Sequence, residues 1–477
     1  MNIALIAHIA VVVGFTIRLM LRNDLSPPAR LAWIIVLILL PVFGTIVYVL
    51  FGEVDLGREA RAKQRSIHDE VHRAAGGQLM GDPETLTDQI SAAFRPVFGY
   101  AASINGFHPT TGNQGELMAH AAETRTRMVA DIDAATDHVH ALYYIWLTDR
   151  TGTEMAEALM RAAQRGVTCR VLADGLGSRG LIKSELWRRM GAAGVHLAVA
   201  LPITRPIRTI LTSRLDMRNH RKITVIDGTI TYCGSRNTAD PEFRPKAKYG
   251  PWVDIMLRLT GPVVAQNQLL FASDWMRATG EPPEALARPC PPLPDGFPAQ
   301  AMGHGPTERR SSTPQLFATA LACARERVTI STPYFVPDAT VLEALCAAAY
   351  RGVTVTLIFP QKNDSWVVAA ASHSYYRRLL QAGCIVHEYE PGLLHAKTLV
   401  IDGAACLIGS SNIDIRSFDL NFENNILLED PAIAKAIEAR QADYILASRQ
   451  VTLSDVDAWP YHRRIWNNAV ATVGPIL

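Results

Sequence analysis

The apolar residues divide the chain into a strongly apolar start and a longer body in which short apolar segments alternate with polar ones. Residues 31–51 carry no charged side chain. As one helix this run would be about 30 Å long, which is enough to span the hydrocarbon core of a bilayer. Residues 3–17 form a shorter apolar run, which extends to Leu21 if Arg18 places its guanidinium at the interface. The pattern predicts two transmembrane helices; a buried hairpin and a cleaved signal peptide are the weaker alternatives.

Two strand–helix–strand patterns follow in the body. The first has apolar strand-like residues at 138–145, helical spacing at 153–165 and a second strand at 169–172. The same order returns at 328–331, 341–350 and 355–359, and the joint Arg-Gly-Val-Thr after the helix occurs in both. The body is therefore expected to be an internal duplication of the α/β class.

These patterns predict five parts of the chain. We expect a membrane anchor at 1–52, a polar connecting segment at 53–112, a first half at 113–280, a proline-rich linker at 281–300 and a second half at 301–477. Three arginines lie between the two apolar runs, and four basic residues follow the second. This small excess favours a cytoplasmic catalytic body, since positive residues prefer that side.

Net charge and cysteine usage narrow the class of protein. The formal charge is only +2, which argues against a nucleic-acid-binding stripe. Seven scattered cysteines without C-x-x-C pairs indicate reduced, mostly buried thiols. No histidine, cysteine or carboxylate cluster has metal-ligand spacing, so the sequence predicts no metal and no cofactor.

The most specific feature of the body is a block that occurs twice. Each copy has a histidine, a lysine two residues later and an aspartate seven residues later, then Gly-Ser-x-Asn at a fixed distance. The residues are, in order, His220, Lys222, Asp227, Ser235 and Asn237, and then His395, Lys397, Asp402, Ser410 and Asn412. A lone His-x-Lys occurs by chance, but repetition of the whole block does not.

The residue types in the block suit phosphodiester chemistry. Residues two apart on a strand share a face, so each histidine is expected beside its lysine. One imidazole can attack phosphorus, and the other can act as acid and then base. The lysines, with Ser235, Asn237, Ser410 and Asn412, would hold the phosphoryl oxygens. Asp227 and Asp402 belong to the candidate catalytic set, although an Asp before Gly is by default a turn residue, the role we favour.

At these residues the chain resembles the phospholipase D superfamily, which carries this motif twice in one chain or once per subunit. Further segments resemble bacterial cardiolipin synthases. They are the segments 144–146, 219–222, 333–337, 412–418 and 421–423, and the apolar start from Ala32 to Gly52. The resemblance implies two tandem phospholipase D-like α/β sandwich halves that share one active site.

The resemblance also implies a reaction and residue roles. Two phosphatidylglycerol molecules would give cardiolipin and glycerol through a covalent phosphatidyl-histidine intermediate. His220 would be the nucleophile and His395 the acid and base. A carboxylate beyond each motif, Asp254 or Glu423, would bind the other nitrogen of an active-site histidine; the alternative is an ordinary exposed strand charge.

Alternatives and partners follow from the same site. Water or another alcohol as acceptor would make the protein a phospholipase D or a transphosphatidylase. A nuclease is disfavoured by the near-neutral charge, and an idle scaffold by two intact motifs. The expected partners are anionic phospholipid and the bilayer of the bacterial inner membrane, with the oligomeric state open. Lipid contact is also considered for Arg205, Arg208, Arg214 and Arg218, and for the aromatic and basic segment 459–466, against solvated or packed alternatives.

Overall fold

The computed structural model describes most of the chain. The described residues are 3–22, 25, 27–40, 42–52, scattered positions from 62 to 73, 79–202, 217–281 and 287–472.

Three helices form the apolar start. They are α1 Ile3–Met20, α2 Pro27–Leu39 and α3 Phe43–Phe51. Leu19, Leu37 and Tyr48 are buried where the helices meet. The rings of Phe15 and Trp33 meet the Tyr48 ring edge-on, at centroid distances of 5.3 and 5.2 Å. The three helices thus share a small apolar core of their own.

The prediction of one helix across residues 31–51 is wrong. The run is divided between α2 and α3, and Val42 has a φ of +62°, which interrupts a helix at a β-branched residue. The chain has a proline at 41, which offers no N–H to a helical hydrogen bond. Within the described ranges no helix is both long and apolar enough to cross a bilayer. The two predicted transmembrane helices are therefore not confirmed.

Strands and helices alternate through the first half, as the sequence pattern predicts. Helices α4 Thr85–Asp88 and α5 Arg95–Asn105 precede it. Its strands are β1 Thr110–Met118, β2 His138–Tyr143, β3 Thr168–Asp174, β4 His196–Ala200, β5 Arg218–Asn219, β6 Lys222–Ile226, β7 Ile230–Gly234, β8 Trp252–Val253 and β9 Met256–Thr260. Its helices are α6 Ala121–Asp133, α7 Arg150–Gln164, α8 Arg179–Ile182, α9 Glu185–Ala192, a 3₁₀ helix Arg244–Tyr249 and α10 Val263–Thr279.

The second half repeats this order. Its strands are β10 Phe297–His304, β11 Arg327–Ser331, β12 Phe335–Val336, β13 Thr354–Pro360, β14 Ile385–Tyr389, β15 Leu393–Leu394, β16 Thr398–Ile401, β17 Ala405–Gly409, β18 Ile413–Asp414, β19 Asn421–Glu429 and β20 Ser448–Val451. Its helices are α11 Ser312–Cys323, α12 Ala339–Tyr350, α13 Trp366–Gln381, α14 Ile415–Asp419, α15 Pro431–Leu446, α16 Leu453–Asp457 and α17 Tyr461–Thr472.

The repeated joint after a helix has the same backbone in both halves. Gly166 follows α7 and Gly352 follows α12, and each has a φ of +90°. An L side chain is strained in that left-handed region, so glycine is the residue that permits the turn into the next strand. The predicted duplication is thus visible in the backbone as well as in the sequence.

Both halves contribute to one continuous sheet of 16 strands. From one edge its order is β20-β14-β13-β11-β16-β17-β19-β10-β1-β9-β7-β6-β2-β3-β4, and β5 pairs with β19. The order of the second half is the order of the first half reversed, and the halves meet at the antiparallel pair β1–β10. The α/β prediction is confirmed. The joining of the halves into one sheet was not foreseen.

Two predicted boundaries differ from the structure. Strand β1 begins at Thr110, before the expected start of the first half at 113. Strand β10 begins at Phe297, inside the predicted linker 281–300, and Pro298 is tolerated at its second residue because pairing with β19 begins only at Ala299. Helix α5, in the expected connecting segment, packs on α11 and β10 of the second half. The connecting segment is therefore partly built into the body.

Candidate active site

Two short strand pairs between the halves place the two histidines. Strand β5 pairs in parallel with the start of β19, and the His220 N–H donates to the Phe422 carbonyl at 2.9 Å. Strand β15 pairs in parallel with β8, and the His395 N–H donates to the Val253 carbonyl at 2.8 Å. Each histidine therefore stands beside the residue that follows its backbone partner, Glu423 or Asp254.

Each imidazole bonds a carboxylate of the other half. Nδ1 of His220 lies 2.9 Å from both carboxylate oxygens of Glu423, and Nδ1 of His395 lies 2.6 Å from Oδ1 of Asp254. All four side chains are buried. A carboxylate at Nδ1 fixes the tautomer and leaves Nε2 of each ring for chemistry. The sequence indicated these carboxylates but not that they cross between the halves.

Both histidines line one cavity at the junction of the halves. Its volume is about 370 Å³, and it is lined as well by Asn237 and Asn412 from the two motifs. The Tyr144 ring packs against His220 at 4.9 Å between centroids. The Trp252 ring packs against His395 at 4.6 Å. Aromatic walls thus hold the two imidazoles in place.

Ser235 and Ser410 do not bind in the cavity, contrary to the prediction. The Ser235 hydroxyl donates to Asp254 at 2.7 Å, and the Ser410 hydroxyl donates to Glu423. Both serines are fully buried. The preceding glycine lets the strands approach closely: a Cβ on Gly234 would lie 2.4 Å from the Ile255 carbonyl oxygen. The serines therefore orient the carboxylates that orient the histidines.

The two asparagines differ in what they can bind: Asn237 has a free donor and remains a candidate for anion binding, whereas the free atom of Asn412 is an acceptor. Asn237 accepts the Ile145 N–H through Oδ1 at 3.2 Å, and its Nδ2 has no partner among the described residues. Asn412 bonds the Ser417 hydroxyl through Nδ2 at 3.1 Å, and the other end of its amide has no such partner. A buried amide group without a partner is costly, so a ligand oxygen or water is expected there.

The lysines are buried beside the histidines and do not line the cavity themselves. Nζ of Lys222 donates to the His220 carbonyl at 2.5 Å, and Nζ of Lys397 donates to the His395 carbonyl at 2.6 Å. Lys397 and His395 precede β16 rather than lying on it. The expectation that the two residues share one face of a strand is therefore met only approximately. The Lys222 ammonium is 5.6 Å from the centre of the Tyr144 ring, which lines the cavity. Each ammonium has two further N–H donors.

Burial and mutual charges set the protonation of this cluster. Burial lowers the pKa of His220 to about 4, although Glu423 raises it, and burial also lowers the pKa of His395. Burial lowers the pKa of Lys222 to about 8 and that of Lys397 to about 7. Burial would raise the pKa of Glu423, but the positive charges around it bring it to about 2. Without substrate, the cluster therefore holds neutral imidazoles and ionised carboxylates.

Asp227 and Asp402 do not belong to the catalytic set. The Asp402 carboxylate accepts the backbone N–H groups of Arg325, Glu326 and Arg327, each at 2.9 Å. Asp227 accepts the N–H groups of residues 136, 137 and 138 in the same way. Both have positive φ, +52° and +51°, at the end of the strand remote from the histidine. Their role is to tie the turn to the neighbouring strand, which is the structural role favoured from the Asp-Gly pair.

Several cavity residues carried no motif signal. Trp252, Lys246 and Asp364 line the cavity, and the last two form an ion pair at 2.5 Å. Trp252 lies two residues before Asp254 on β8. Its place in the cavity would have been indicated only by the pairing of β8 with β15, the strand that leads into His395. Arg205, Arg208 and Arg214 lie outside the described residues. Where the chain is described, no three His, Cys, Asp or Glu side chains are placed to bind a metal ion.

Comparison with known proteins agrees with this geometry. The family model "Cardiolipin synthase, PLD-like domain" matches residues 128–266 and 317–443, and "Phospholipase_D-nuclease N-terminal" matches residues 4–53. Cardiolipin synthase A of Serratia proteamaculans is 33% identical, over 98% of this chain and 96% of its own. The enzyme of the same name from Proteus mirabilis is 34% identical, with the same shares of each chain.

A solved structure shows the same fold at low identity. The phosphatidylserine synthase of Haemophilus influenzae superposes with a TM-score of 0.61 at 15% identity, covering 81% of this chain and all of its own. The tandem α/β arrangement is therefore known from an experimental structure.

The role of Asp402 can be tested directly. We expect Asp402→Ala to lower the free energy of unfolding by about 2 kcal/mol, because three backbone donors lose their acceptor. Activity per folded molecule should stay within about twofold, since the carboxylate is remote from both histidines. Chemical denaturation and assay of the same preparation measure both. Normal stability with lost activity would return Asp402 to the catalytic set, and Asp227→Ala is the matched variant in the first half.

Proposed function

This chain belongs to the cardiolipin synthase family with phospholipase D-like domains, and we propose that it joins two phosphatidylglycerol molecules into cardiolipin and glycerol. As a member of that family it is a phosphatidyltransferase. The observation that carries the proposal is the pair of crossed imidazole–carboxylate contacts beside one cavity. The two imidazoles come from different halves, and each is oriented through Nδ1 by a carboxylate of the other half. This arrangement suits a reaction in which one ring attacks phosphorus and the other transfers protons.

In the first step, Nε2 of neutral His220 attacks the phosphorus of the donor lipid. The bond from phosphorus to the headgroup glycerol breaks, and the glycerol oxygen takes the proton from Nε2 of His395. His395 must be protonated for this step. Asp254 favours that form, and the arriving phosphodiester anion favours it further. The products are a phosphatidyl-histidine and free glycerol.

In the second step, a glycerol hydroxyl of the acceptor lipid attacks the same phosphorus. Its proton passes to Nε2 of His395, the bond from phosphorus to His220 breaks, and cardiolipin leaves. Lys222, Lys397 and the free Nδ2 of Asn237 are proposed to hold the phosphoryl oxygens, while the free Oδ1 of Asn412 can accept from a substrate hydroxyl. Each ion of the buried cluster keeps a partner through both steps, which limits the cost of desolvation.

The identity of the acceptor distinguishes the proposed transfer reaction from hydrolysis. Labelled phosphatidylglycerol and purified enzyme should yield cardiolipin and glycerol in equal amounts. Phosphatidic acid as the main lipid product would instead identify a phospholipase D, with water as the acceptor. Transfer to an added alcohol in place of phosphatidylglycerol would identify a general transphosphatidylase.

The two histidines should be separately essential. We expect His220→Ala and His395→Ala each to lower turnover by about a thousandfold or more. Rapid denaturation at neutral to mildly alkaline pH, where the acid-labile bond between phosphorus and the histidine nitrogen survives, should trap a labelled phosphatidyl adduct on His220. His304→Gln removes a buried histidine that bonds Ser411 outside the cavity, so it should retain turnover per folded molecule. An adduct on His395 would reverse the two roles, and full activity in either alanine variant would end the two-histidine mechanism.

The lysines should steepen the alkaline limb of the pH profile, which begins with loss of the His395 proton because burial lowers the pKa of that imidazole. A lysine is cationic below its pKa, so kcat/KM should fall as pH rises through about 7 to 8, where burial places Lys397 and Lys222. The limb of kcat should lie at higher pH, because a bound phosphodiester raises both lysine pKa values. Lys397→Arg cannot deprotonate and should move the limb of kcat/KM upward. A kcat/KM that stays flat to about pH 9 would contradict cationic lysines as the limit.

Lipid contact is proposed at two apolar surfaces. Helices α1–α3 expose many aliphatic side chains on their outer faces, among them Val13, Ile17 and Ile38. Beside the cavity, Trp366 of α13 and Trp466 of α17 stack with centroids 5.8 Å apart, and they are 65% and 51% exposed. Exposed aromatic pairs of this kind suit the interface of a bilayer. The cytoplasmic orientation depended on the two spans and stays a prediction.

The tryptophan pair should matter only for lipid in a bilayer. Ser365 and Val368, on either side of Trp366, line the cavity, so the pair stands at its mouth. Trp366→Ser with Trp466→Ser in the full chain should lower activity on vesicles about tenfold. Activity on monomeric short-chain phosphatidylglycerol should remain. Leu446→Ser changes an 86% exposed leucine outside the cavity and should alter neither activity. Equal losses on both substrates would mean that the pair is structural.

A further inference from the structure

The cavity has one wall beside each histidine. The duplication would make these walls alike, but they differ at equivalent positions. Two residues before each histidine stand Arg218 and Leu393, and two residues before each carboxylate stand Asn421 and Trp252. The strand pairs place Arg218 opposite Asn421 and Leu393 opposite Trp252. The catalytic groups are thus duplicated while the surroundings of each histidine are not.

The wall beside His220 is cationic. Arg218, Arg416 and Asn421 line it together with Tyr144. Burial raises the pKa of Tyr144, and both arginines act against that rise, so both guanidiniums lie within electrostatic range of its hydroxyl. The Tyr144 ring in turn packs on His220. Two arginines therefore face the space next to the reacting centre.

Two carboxylates lie near these arginines, and both bond backbone donors. Asp174 lies 3.7 Å from Nη1 of Arg218 and accepts the N–H groups of Leu176, Gly177 and Asn219. Asp414 accepts the Ser417 N–H at 2.7 Å, and burial raises its pKa to about 6. Both acids hold the local backbone as well as reducing the positive charge. Arg218 also donates through Nη1 to the Leu201 carbonyl at 3.2 Å, and both arginines line the cavity.

The wall beside His395 is aromatic and nearly neutral. Phe243 and Trp252 stack with centroids 3.9 Å apart. The cation on this side, Lys246, is paired with Asp364, which also accepts the Tyr334 hydroxyl at 2.7 Å. This wall therefore offers an apolar surface where the other wall offers guanidiniums.

We propose that Arg218 and Arg416, with Asn421, form a second anion subsite that holds the phosphodiester of the acceptor lipid. The inference rests on the proposed function. An acceptor phosphatidylglycerol carries its own phosphate, separated from the attacking hydroxyl only by its glycerol bridge. A cavity for that acceptor needs two anion sites, whereas water or a simple alcohol needs one. Guanidinium suits this task because it binds phosphate oxygens in pairs.

The test compares an acceptor that has a phosphate with one that has none. Full-length wild type, Arg416→Gln and Arg416→Lys are supplied with labelled phosphatidylglycerol, with and without ethanol. In Arg416→Gln, cardiolipin formation should fall about tenfold or more, which is the loss of one charge-assisted phosphate contact. Phosphatidylethanol formation should stay within about twofold, since ethanol does not use the subsite. Arg416→Lys should lie between wild type and Arg416→Gln, and it carries the test if the glutamine variant does not fold.

Lys246→Gln is the matched control, because it removes a cation from the opposite wall. It should change the two products in the same proportion. An equal fall of both products in Arg416→Gln would overturn the subsite, as would unchanged cardiolipin formation. A selective loss of cardiolipin formation in Lys246→Gln would also overturn the subsite. The selectivity would then depend on the total positive charge of the cavity and not on the position of Arg416.

Failure of the proposed function would look different. A wild type that forms phosphatidylethanol and phosphatidic acid but no cardiolipin would refute the synthase activity. Glycerol 3-phosphate then probes the subsite: it should inhibit phosphatidylethanol formation by wild type and inhibit Arg416→Gln much less. Equal inhibition of the two proteins would refute the subsite itself.

Discussion

The arrangement of this molecule depends on two short strand pairs that cross between its halves. Each pair leads directly into a histidine and fixes its backbone to the strand that carries the other half's carboxylate. Neither half supplies both the imidazole and the carboxylate that orients it. The continuous sheet, joined at β1–β10, holds the two halves at the distance that the crossing requires. The single site is therefore a consequence of how the halves are paired.

Crossing also explains how so much charge is buried. Two lysines, two carboxylates and two imidazoles lie with almost no exposure. Isolated buried ions cost several kcal/mol each, so such a cluster persists only when each charge has a partner. Here the carboxylates bond imidazoles and serines, and the ammonium groups bond the histidine carbonyls. The remaining lysine N–H donors suit a phosphoryl group, whose oxygens can accept hydrogen bonds from them.

The sequence foretold the local features better than the three-dimensional relations. The duplicated blocks, the strands into Asp-Gly and the Arg-Gly-Val-Thr joint are encoded by residues close together in the chain, and all appear in the structure. The use of Ser235 could not be read locally, because its partner Asp254 comes from another strand. The proline within residues 31–51 suggested a kink, but the uncharged run still favoured one helix over the two that form. The asymmetry between Arg218 and Trp252 has meaning only once both are known to line one cavity.

Histidine nitrogen NMR of the full-length protein tests the crossed orientation most directly. Spectra of ¹⁵N-histidine-labelled protein, assigned with single histidine variants, report the tautomer of each ring. At neutral pH both His220 and His395 should be neutral, with the proton on Nδ1. Glu423→Gln should alter the signals of His220 and leave those of His395, and Asp254→Asn should do the reverse. If Glu423→Gln instead alters His395 and leaves His220, the carboxylates do not cross, and the shared site described above is incorrect.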